Sequence, residues 1–443
     1  MRCVVATALP RRVLRPKPTA LRHSEVATIF TKASTMKWVC CQLGAREHYA
    51  IPRALFRHGM LDYLLTDAWA PPSSLLAKIY GRRVTDRFHN DLSDACVMAF
   101  NSSVILFEMF SRTRRIGDWQ KIVARNRWFQ RKVVKALTSD IGPQISDSPI
   151  LLSYSYTALE PFRYAKARGW KTVLVQIDPG PEEEAIVAEE AARVPKLAAG
   201  WQRAPIDYWA LWREECKLAD RIIVNSEWSQ EELIRGGVPS EKITVIPLAY
   251  EPDTASGRLT ERRLERKYPD RFTSKRPLRV LFLGLINLRK GVAMLLEAAR
   301  ILGDEPVEFW MVGPVEIANA RTIPDRGRVK WFGPATREKA AEFYTDADVF
   351  ILPTLSDGFA ITQLEAQAHG LPVIASKNCG KVVENGVNGS ILDEPSAACI
   401  AQAVRDCLAS PDRLEKLASA SAVPDKFTIE ALANQLQRLG AIL

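Results

Sequence analysis

Several chemistries are excluded by what this sequence of 443 residues lacks. Its eight cysteines include no C-x-x-C pair and its five histidines form no cluster, which argues against a zinc site or a dithiol redox motif. We therefore expect buried, unpaired thiols and a reducing, cytoplasmic compartment. No apolar run approaches the roughly 18 residues that a membrane-spanning helix needs, and we find no internal repeat.

The net charge of +10 is concentrated at the amino terminus. Residues 1–35 contain seven basic residues and one acidic residue, so this leader carries +6 and the remaining chain only +4. The nearly balanced remainder does not indicate a nucleic-acid-binding protein. The leader resembles a mitochondrial transit peptide in composition. We favour the alternative that translation begins at Met36, where a strand-like run follows, so that residues 1–35 are disordered or not translated.

From Met36 onward, short runs rich in β-branched residues alternate with helical stretches, which predicts parallel strands joined by crossover helices. We predict an α/β protein with two Rossmann-like, doubly wound domains that face a cleft. They comprise residues 36–257 and 277–443, joined by a charged linker at 258–276, and the last helix is a candidate to cross back to the first domain. Predicted strands span 37–42, 150–154, 172–177, 221–225, 242–247, 278–283, 307–312, 329–332 and 349–352, and predicted helices span 292–302 and 337–345.

The segment from Thr354 to Gly389 is the most informative part of the chain. It predicts a turn at Asp357 and Gly358, followed by a helix whose free N–H groups favour a phosphate. If that helix begins directly after Asp357, Glu365 lies a little over two turns further on and faces the same cleft. Two solvated surface acids are the alternative on physical grounds alone.

The same segment resembles the signature of the group 1 glycosyltransferases, the retaining GT-B enzymes of family 4, whose pattern is E-G-F-G-x-x-x-x-E-A-x-A-x-G-x-P-V-I. The pattern stands here as Asp357-Gly-Phe-Ala, Glu365-Ala, Ala368, Gly370 and Pro372-Val-Ile. The resemblance implies that Asp357 contacts the donor sugar and that Glu365 holds the nucleotide ribose. Asp357 is one methylene shorter than the usual Glu. The donor-binding residues that the resemblance implies are Gly284, Gly358, Phe359, Ala360 and Ile361.

A second segment, Val280-Leu-Phe-Leu-Gly284-Leu-Ile-Asn-Leu-Arg289-Lys290-Gly291, resembles the family's strand followed by glycine and a basic residue. Loss of a nucleoside diphosphate develops negative charge that fixed cations stabilise, so Arg289 and Lys290 are catalytic candidates. Leu285 stands where many relatives have Arg. Exposed charges at a helix start are the alternative, which we disfavour because cations there oppose the helix dipole.

Residues on the acceptor side are less clearly indicated. Arg46 and His48 follow the first strand and Asp178 follows another, so all three should lie at the cleft rim. His48 could orient a sugar or a phosphate, although a lone His near a helix start is as often a cap or a packing residue.

Two further patterns concern metals and membranes. Asp346-Ala-Asp348 matches a D-x-D metal motif, but it precedes a buried strand, so we expect no metal site. Residues 111–137 combine nine basic residues with apolar residues at helical spacing. This segment could contact an anionic membrane surface at the inner face of the membrane, or it could pack on its own domain.

We therefore predict a retaining, metal-independent glycosyltransferase, a hexosyltransferase of polysaccharide biosynthesis. It moves a sugar from a nucleoside diphosphate sugar to a hydroxyl of a glycan, an exopolysaccharide or a lipid-linked saccharide. The nucleotide sugar is a co-substrate, and we expect no cofactor and no nucleic-acid partner. The alternatives are a GT-B sugar-nucleotide epimerase and a non-catalytic sugar-nucleotide-binding homologue impaired by the Asp357 and Leu285 departures.

Overall fold

Parallel strands form two separate sheets in the computed structural model, which describes residues 36–74, 87–113, 118–251, 266–319 and 327–443. The predicted leader and residues 258–265 of the predicted linker lie outside the described residues. The strands are β1 (Trp38–Gln42), β2 (Leu61–Thr66), β3 (Val97–Ala99), β4 (Ile150–Tyr154), β5 (Lys171–Gln176), β6 (Arg221–Val224), β7 (Ile243–Val245), β8 (Leu278–Leu283), β9 (Val307–Val312), β10 (Val329–Gly333), β11 (Val349–Leu352), β12 (Val373–Ser376) and β13 (Gly389–Leu392).

Helices follow most of these strands, as crossover connections require. In the described residues the α-helices are α1 (Ala50–Arg57), α2 (Asn101–Thr113), α3 (Asp118–Lys135), α4 (Leu159–Lys166), α5 (Pro181–Arg193), α6 (Ile206–Leu218), α7 (Glu227–Arg235), α8 (Val292–Ile301), α9 (Arg337–Asp346), α10 (Thr362–Ala368), α11 (Ala397–Ala409), α12 (Pro411–Ala420) and α13 (Ile429–Ala441).

Each sheet has one point where the direction of strand addition reverses. The amino-terminal sheet has the order β3-β2-β1-β4-β5-β6-β7, and the carboxy-terminal sheet has the order β10-β9-β8-β11-β12-β13. The strands of each sheet pair in parallel, and β8 lies between β9 and β11. The loops after β8 and β11 therefore leave the sheet side by side, where doubly wound proteins bind ligands.

The predicted fold class is confirmed, and four predicted strands have the observed bounds of β4, β8, β9 and β11. Strands β4 and β11 are buried at every position, and β8 and β9 are mostly apolar, although each contains one half-buried charged residue, Arg279 and Glu308 respectively. Strands β2, β3 and β13 were not predicted from the sequence. Strand β3 has only three residues, all half-buried, and so carries little hydrophobic signal.

Two helices connect parts of the chain that are distant in sequence. Leu432, Leu436 and Leu439 of α13, at the carboxy terminus, pack in one core with Trp38 of β1. Helix α5 follows β5, yet its Val187 belongs to the core beneath the carboxy-terminal sheet. The two sheets are thus joined by packing as well as by the linker.

Part of the predicted linker packs on the carboxy-terminal half. Phe272 is buried in that half's core. Arg266 donates hydrogen bonds to the carbonyl oxygens of Tyr344, Ala347 and His369. Residues 266–272 are therefore fixed to the domain that follows them.

The cysteines only partly match the expectation of buried thiols. All seven described cysteines are free, and five of them, including Cys40 and Cys41 in β1, are buried. Cys96 is exposed because it lies in the loop that leads into β3, and Cys399 is half-buried. Cys3 lies outside the described residues.

Gly291, which ends the loop after β8, allows that loop to approach the loop after β11. Its φ is 72°, and a Cβ there would collide with the carbonyl oxygen of Pro353. The carbonyl oxygen of Arg289 accepts hydrogen bonds from the Leu355 N–H at 2.8 Å and the Thr354 hydroxyl at 3.0 Å. Glycine at this position is therefore a steric requirement.

We predict that Gly291→Ala destabilises the protein more than Gly386→Ala does. Gly386 has a similar φ of 78° but open space around its Cα, so it reports the cost of the backbone conformation alone, about 1 kcal/mol. The collision at Gly291 should add about 1 to 3 kcal/mol. Urea unfolding of both variants measures the difference, and equal losses would show that the two loops are free to move apart.

Candidate functional site

Three predicted site residues meet where the loops after β8 and β11 approach each other. The ammonium group of Lys290 pairs directly with Oδ2 of Asp357, and Nη1 of Arg289 lies 3.1 Å from the same oxygen. The side chains of Lys290 and Asp357 are only 12% and 10% exposed. One buried carboxylate thus holds both candidate cations.

The backbone also fixes Asp357. Its second oxygen accepts a hydrogen bond from the Phe359 N–H at 3.2 Å, and its own N–H donates to the carbonyl oxygen of Asn378 at 3.0 Å. Burial alone would raise the pKa of Asp357, but Lys290 and Arg289 hold it well below its usual range. Asp357 is therefore an ionised, fixed anion that orients the two cations.

A fourth charged group, Glu183 in the first turn of α5, reaches this cluster from the amino-terminal half. Its Oε1 lies 3.6 Å from Nε of Arg289, and its Oε2 accepts a hydrogen bond from the Ser356 hydroxyl at 2.9 Å. Burial raises the pKa of Glu183 to about 8, with Arg289 opposing the rise and Asp178 and Asp357 adding to it. Burial alone would lower the pKa of Arg289, but Glu183 and Asp357 raise it above its usual value.

The two halves touch directly beside these charges. The indole N–H of Trp228 in α7 donates to the Ser356 hydroxyl at 3.1 Å, so Ser356 bonds to two residues of the other half. A Cβ on Gly358 would collide with the carbonyl oxygen of Ile177 in the loop after β5. The structure is therefore closed at the candidate site.

The helix does not begin directly after Asp357, which was the condition for Asp357 and Glu365 to face the same cleft from one helix. Residues 357–361 form a non-helical segment, and α10 begins at Thr362. Ala360 has a left-handed φ of 63°, which no helix tolerates, and it occupies the position of the second glycine of the family pattern. Phe359 is buried against Phe427, and Ile361 precedes the helix.

As a consequence, Asp357 and Glu365 do not lie on one helix face. Glu365 accepts a hydrogen bond from the Tyr344 hydroxyl at 2.7 Å, and Tyr344 stacks on His369 with ring centroids 5.2 Å apart. Burial raises the pKa of Glu365. Among the described residues, no ion pair joins Glu365 to the charges around Asp357.

The acceptor-side candidates have different surroundings. Nδ1 of His48 lies 2.5 Å from the Arg337 guanidinium of the carboxy-terminal half, and the residue has a left-handed φ of 51°. Arg46 is exposed. Asp178 accepts hydrogen bonds from the Tyr156 hydroxyl, the Gln176 amide and the Gly180 N–H at 2.5 to 3.1 Å. The negative charge of Asp178 also contributes to raising the pKa of Arg289.

Two other predicted positions border the site. Gly284 directly follows β8 and has a φ of 147°, a backbone conformation that residues with a side chain rarely adopt. Leu285, which stands where many relatives have Arg, is 40% exposed. Arg289 therefore provides a cation in this loop that does not depend on residue 285.

The structure gives the D-x-D pattern a structural role. Both oxygens of Asp348 are 2.7 Å from the Arg276 guanidinium, and one accepts the Arg279 N–H at 2.9 Å. This carboxylate therefore fixes the start of β8. Among the described residues we find no group of three or more His, Cys, Asp or Glu side chains that could hold a metal ion.

The basic segment 111–137 is divided between α2 and α3, with residues 114–117 outside the description. Phe129, Val133 and Leu137 are buried in the core of the amino-terminal half. Most of the apolar face therefore packs inward, although Ile122 is 43% exposed. None of the described helices is long and apolar enough to cross a bilayer.

Sequence reasoning missed Glu183, Ser356 and Trp228. The three consecutive acids at 182–184 follow Pro181, which is a sequence signal for a helix start and not for a cleft residue. Only the packing of α5 across the cleft brings Glu183 to Arg289.

Comparisons with known proteins agree with this arrangement. Residues 277–410 match the family model described as "Glycosyl transferases group 1", and residues 162–254 match "Glycosyltransferase Family 4", together just over half of the chain. The amylovoran biosynthesis glycosyltransferase AmsK of Erwinia amylovora is 29% identical over 187 residues, which is 39% of this chain and 43% of AmsK. A D-inositol 3-phosphate glycosyltransferase of Xylanimonas cellulosilytica is 27% identical over 224 residues, 45% of this chain and 51% of its own length. The matches thus span about half of these relatives.

Solved structures extend the likeness to both halves. Anabaena HepE in complex with UDP and glucose has a TM-score of 0.57 at 15% identity, covering 92% of this chain and all of HepE. The sucrose-phosphate synthase of Thermosynechococcus elongatus has a TM-score of 0.58 at 18% identity, covering 92% of this chain and 98% of its own. At these identities the likeness shows the fold. With the fold and both family matches in agreement, the chain belongs to the group 1 glycosyltransferases of the GT-B fold.

Proposed function

We propose that this protein transfers a sugar from a nucleoside diphosphate sugar to an acceptor hydroxyl, with retention and without a metal ion. The observation that carries the proposal is the buried pairing of Lys290 and Arg289 with Asp357 at the switch point of the carboxy-terminal sheet. Two fixed cations in a site with little water stabilise a leaving diphosphate strongly, because they need no reorganisation.

Backbone groups support the same location for the diphosphate. No described residue accepts a hydrogen bond from the N–H of Ala360 or Ile361, which directly follow the Asp357 segment. Backbone N–H groups of this kind bind phosphate oxygens in many nucleotide sites. Lys290, Arg289 and these N–H groups supply the charge neutralisation that a metal ion provides in other transferases.

Family membership supports retention, in which leaving-group oxygens help to deprotonate the acceptor on the same face of the sugar. Closure of the halves at Gly358 and Ile177 would exclude water and limit donor hydrolysis. The HepE structure contains UDP and glucose, so UDP-sugars are the first donors to test. AmsK is named for a polysaccharide pathway, which favours a saccharide acceptor here.

We predict that Lys290→Ala lowers donor turnover by about 100-fold or more, because it removes a cation that stabilises the leaving group. Lys416→Ala in α12 is a matched control, since Lys416 is exposed on another surface. Turnover of UDP-, GDP- and ADP-sugars with mixed saccharide acceptors measures the effect, and thermal shift measures donor binding separately. Equal turnover in the two variants would show that Lys290 does not act in catalysis. Donor binding without turnover in the wild-type protein would favour a non-catalytic protein.

Incubation of the active donor without acceptor distinguishes a transferase from an epimerase. We expect intact donor with slow hydrolysis at most, and an epimerised sugar nucleotide would contradict the proposal. With acceptor present, the product should keep the anomeric configuration of the donor in NMR spectra, and EDTA should leave the rate unchanged. Inversion of configuration, or loss of activity in EDTA, would contradict the retaining, metal-independent mechanism.

We further propose contact with an anionic membrane surface through α2 and the start of α3. Leu106, Met109 and Phe110 on one side of α2 are 51 to 66% exposed, which is unusual for neighbouring apolar residues. Lys121 and Arg125 of α3 reach Glu108 of α2 at 3.1 and 3.9 Å, so basic groups border this face. Apolar residues flanked by basic groups favour anionic lipid.

We predict that the protein sediments with vesicles containing anionic phospholipid and not with neutral vesicles. Replacing Leu106, Met109 and Phe110 with Ser should abolish sedimentation, because the apolar contact is lost. Ile442→Ser is the control, since Ile442 is 63% exposed at the carboxy terminus. Unchanged sedimentation of the triple variant would contradict this surface.

A further inference from the structure

Helix α5 carries a carboxylate from the amino-terminal half into the donor site. Val187 and Ala191 of α5 are buried in the core that contains Val280 of β8 and Leu295 of α8. This packing fixes the first turn of α5, which contains Glu183, against the loops after β8 and β11. Glu183 therefore faces the donor cations without belonging to their domain.

Each carboxylate oxygen of Glu183 contacts a group of the carboxy-terminal half. Its side chain is 13% exposed, with Oε1 3.6 Å from Nε of Arg289. Its Oε2 accepts the hydrogen bond of the Ser356 hydroxyl, which in turn accepts one from the Trp228 indole. Both oxygens thus face groups of the closed cleft and not solvent.

The cluster has no excess positive charge with which to neutralise a diphosphate. Arg289 and Lys290 are its two cations, and Asp178, Glu183 and Asp357 are the carboxylates that act on Arg289. A nucleotide sugar adds further negative charge in the same buried space. Where Glu183 is ionised, at about pH 8 and above, we expect one of the carboxylates to take up a proton, because uncompensated like charges at low dielectric are costly.

Glu183 is the carboxylate best placed to do so. Asp357 is held ionised by Lys290 at direct contact, and Asp178 accepts three hydrogen bonds from Tyr156, Gln176 and Gly180. Glu183 has one hydrogen-bond donor, Ser356, and its cation is shared with Asp357. Building on the proposed donor site, we propose that Glu183 is a further donor-site residue, which takes up one proton from solvent when a nucleoside diphosphate sugar binds against Arg289.

Proton uptake on binding determines how donor affinity changes with pH. The groups facing Glu183 are Arg289 and Ser356 from the loops after β8 and β11, Asp357 beyond them, and Asp178 from the loop after β5. Burial already raises the pKa of Glu183, and the diphosphate raises it further. A site that gains protons on binding loses affinity as pH rises, so donor should bind more weakly above neutral pH.

Calorimetric titration of the whole protein with the nucleotide sugar, in buffers of different ionisation enthalpy, counts the protons taken up. A nucleotide sugar is used because its phosphates stay ionised near neutral pH, whereas the terminal phosphate of a free nucleoside diphosphate titrates there itself. At about pH 8 the Glu183 carboxyl is half ionised before donor binds, so we expect uptake that approaches half a proton per donor in wild type and in the Glu189→Gln control, which changes an exposed residue of the same helix.

Glu183→Gln should bind donor with no proton uptake and with an affinity that no longer falls as pH rises. Glu183→Asp keeps a titratable carboxyl and should retain uptake, which separates charge from loss of fold. The same proton uptake in Glu183→Gln as in wild type, or donor binding to wild type without uptake, would overturn the inference. If wild type binds none of the nucleotide sugars, the proposed donor site is itself wrong and the role of Glu183 falls with it.

Discussion

The sharing of the Asp357 carboxylate by Lys290 and Arg289 is the interaction on which the candidate site depends. It joins the loop after β8 to the loop after β11, and Gly291 permits the close approach that makes the pairing possible. Removing one member of such a buried set leaves an uncompensated charge, which costs about 3 to 5 kcal/mol. The Asp357 carboxylate thus orients the two cations of the candidate site, and its pairing with them also contributes to the stability of the carboxy-terminal half.

Closure of the cleft follows from packing that lies outside this charge cluster. Val187 of α5 enters the carboxy-terminal core, and Leu436 of α13 enters the amino-terminal core, so each half contributes a helix to the other. These exchanges bring Ile177 to Gly358 and Glu183 to Arg289. The candidate site is therefore completed by residues from both halves, and a carboxylate of the amino-terminal half influences the charge of the cluster around Asp357.

The fold could be predicted because parallel, doubly buried strands leave apolar runs in the sequence, such as β11 and residues 280–283 of β8. Arg289, Lys290 and Asp357 were found through their resemblance to a family pattern, and the structure brings them together. The start of α10 was misplaced because the left-handed Ala360 delays the helix, and a non-glycine residue in that conformation leaves no sequence signal. Glu183 could not be predicted, because its partner is more than a hundred residues away and is reached only through the packing of α5.

The central claim is that Lys290 and Arg289 form the diphosphate subsite. A crystal structure of the protein with a bound nucleotide sugar tests it most directly. We predict diphosphate oxygens within hydrogen-bond distance of the Lys290 ammonium and the Arg289 guanidinium, with the sugar beside Asp357 and the ribose beside Glu365. A nucleotide bound elsewhere, with both cations still paired only to Asp357 and Glu183, would contradict the account.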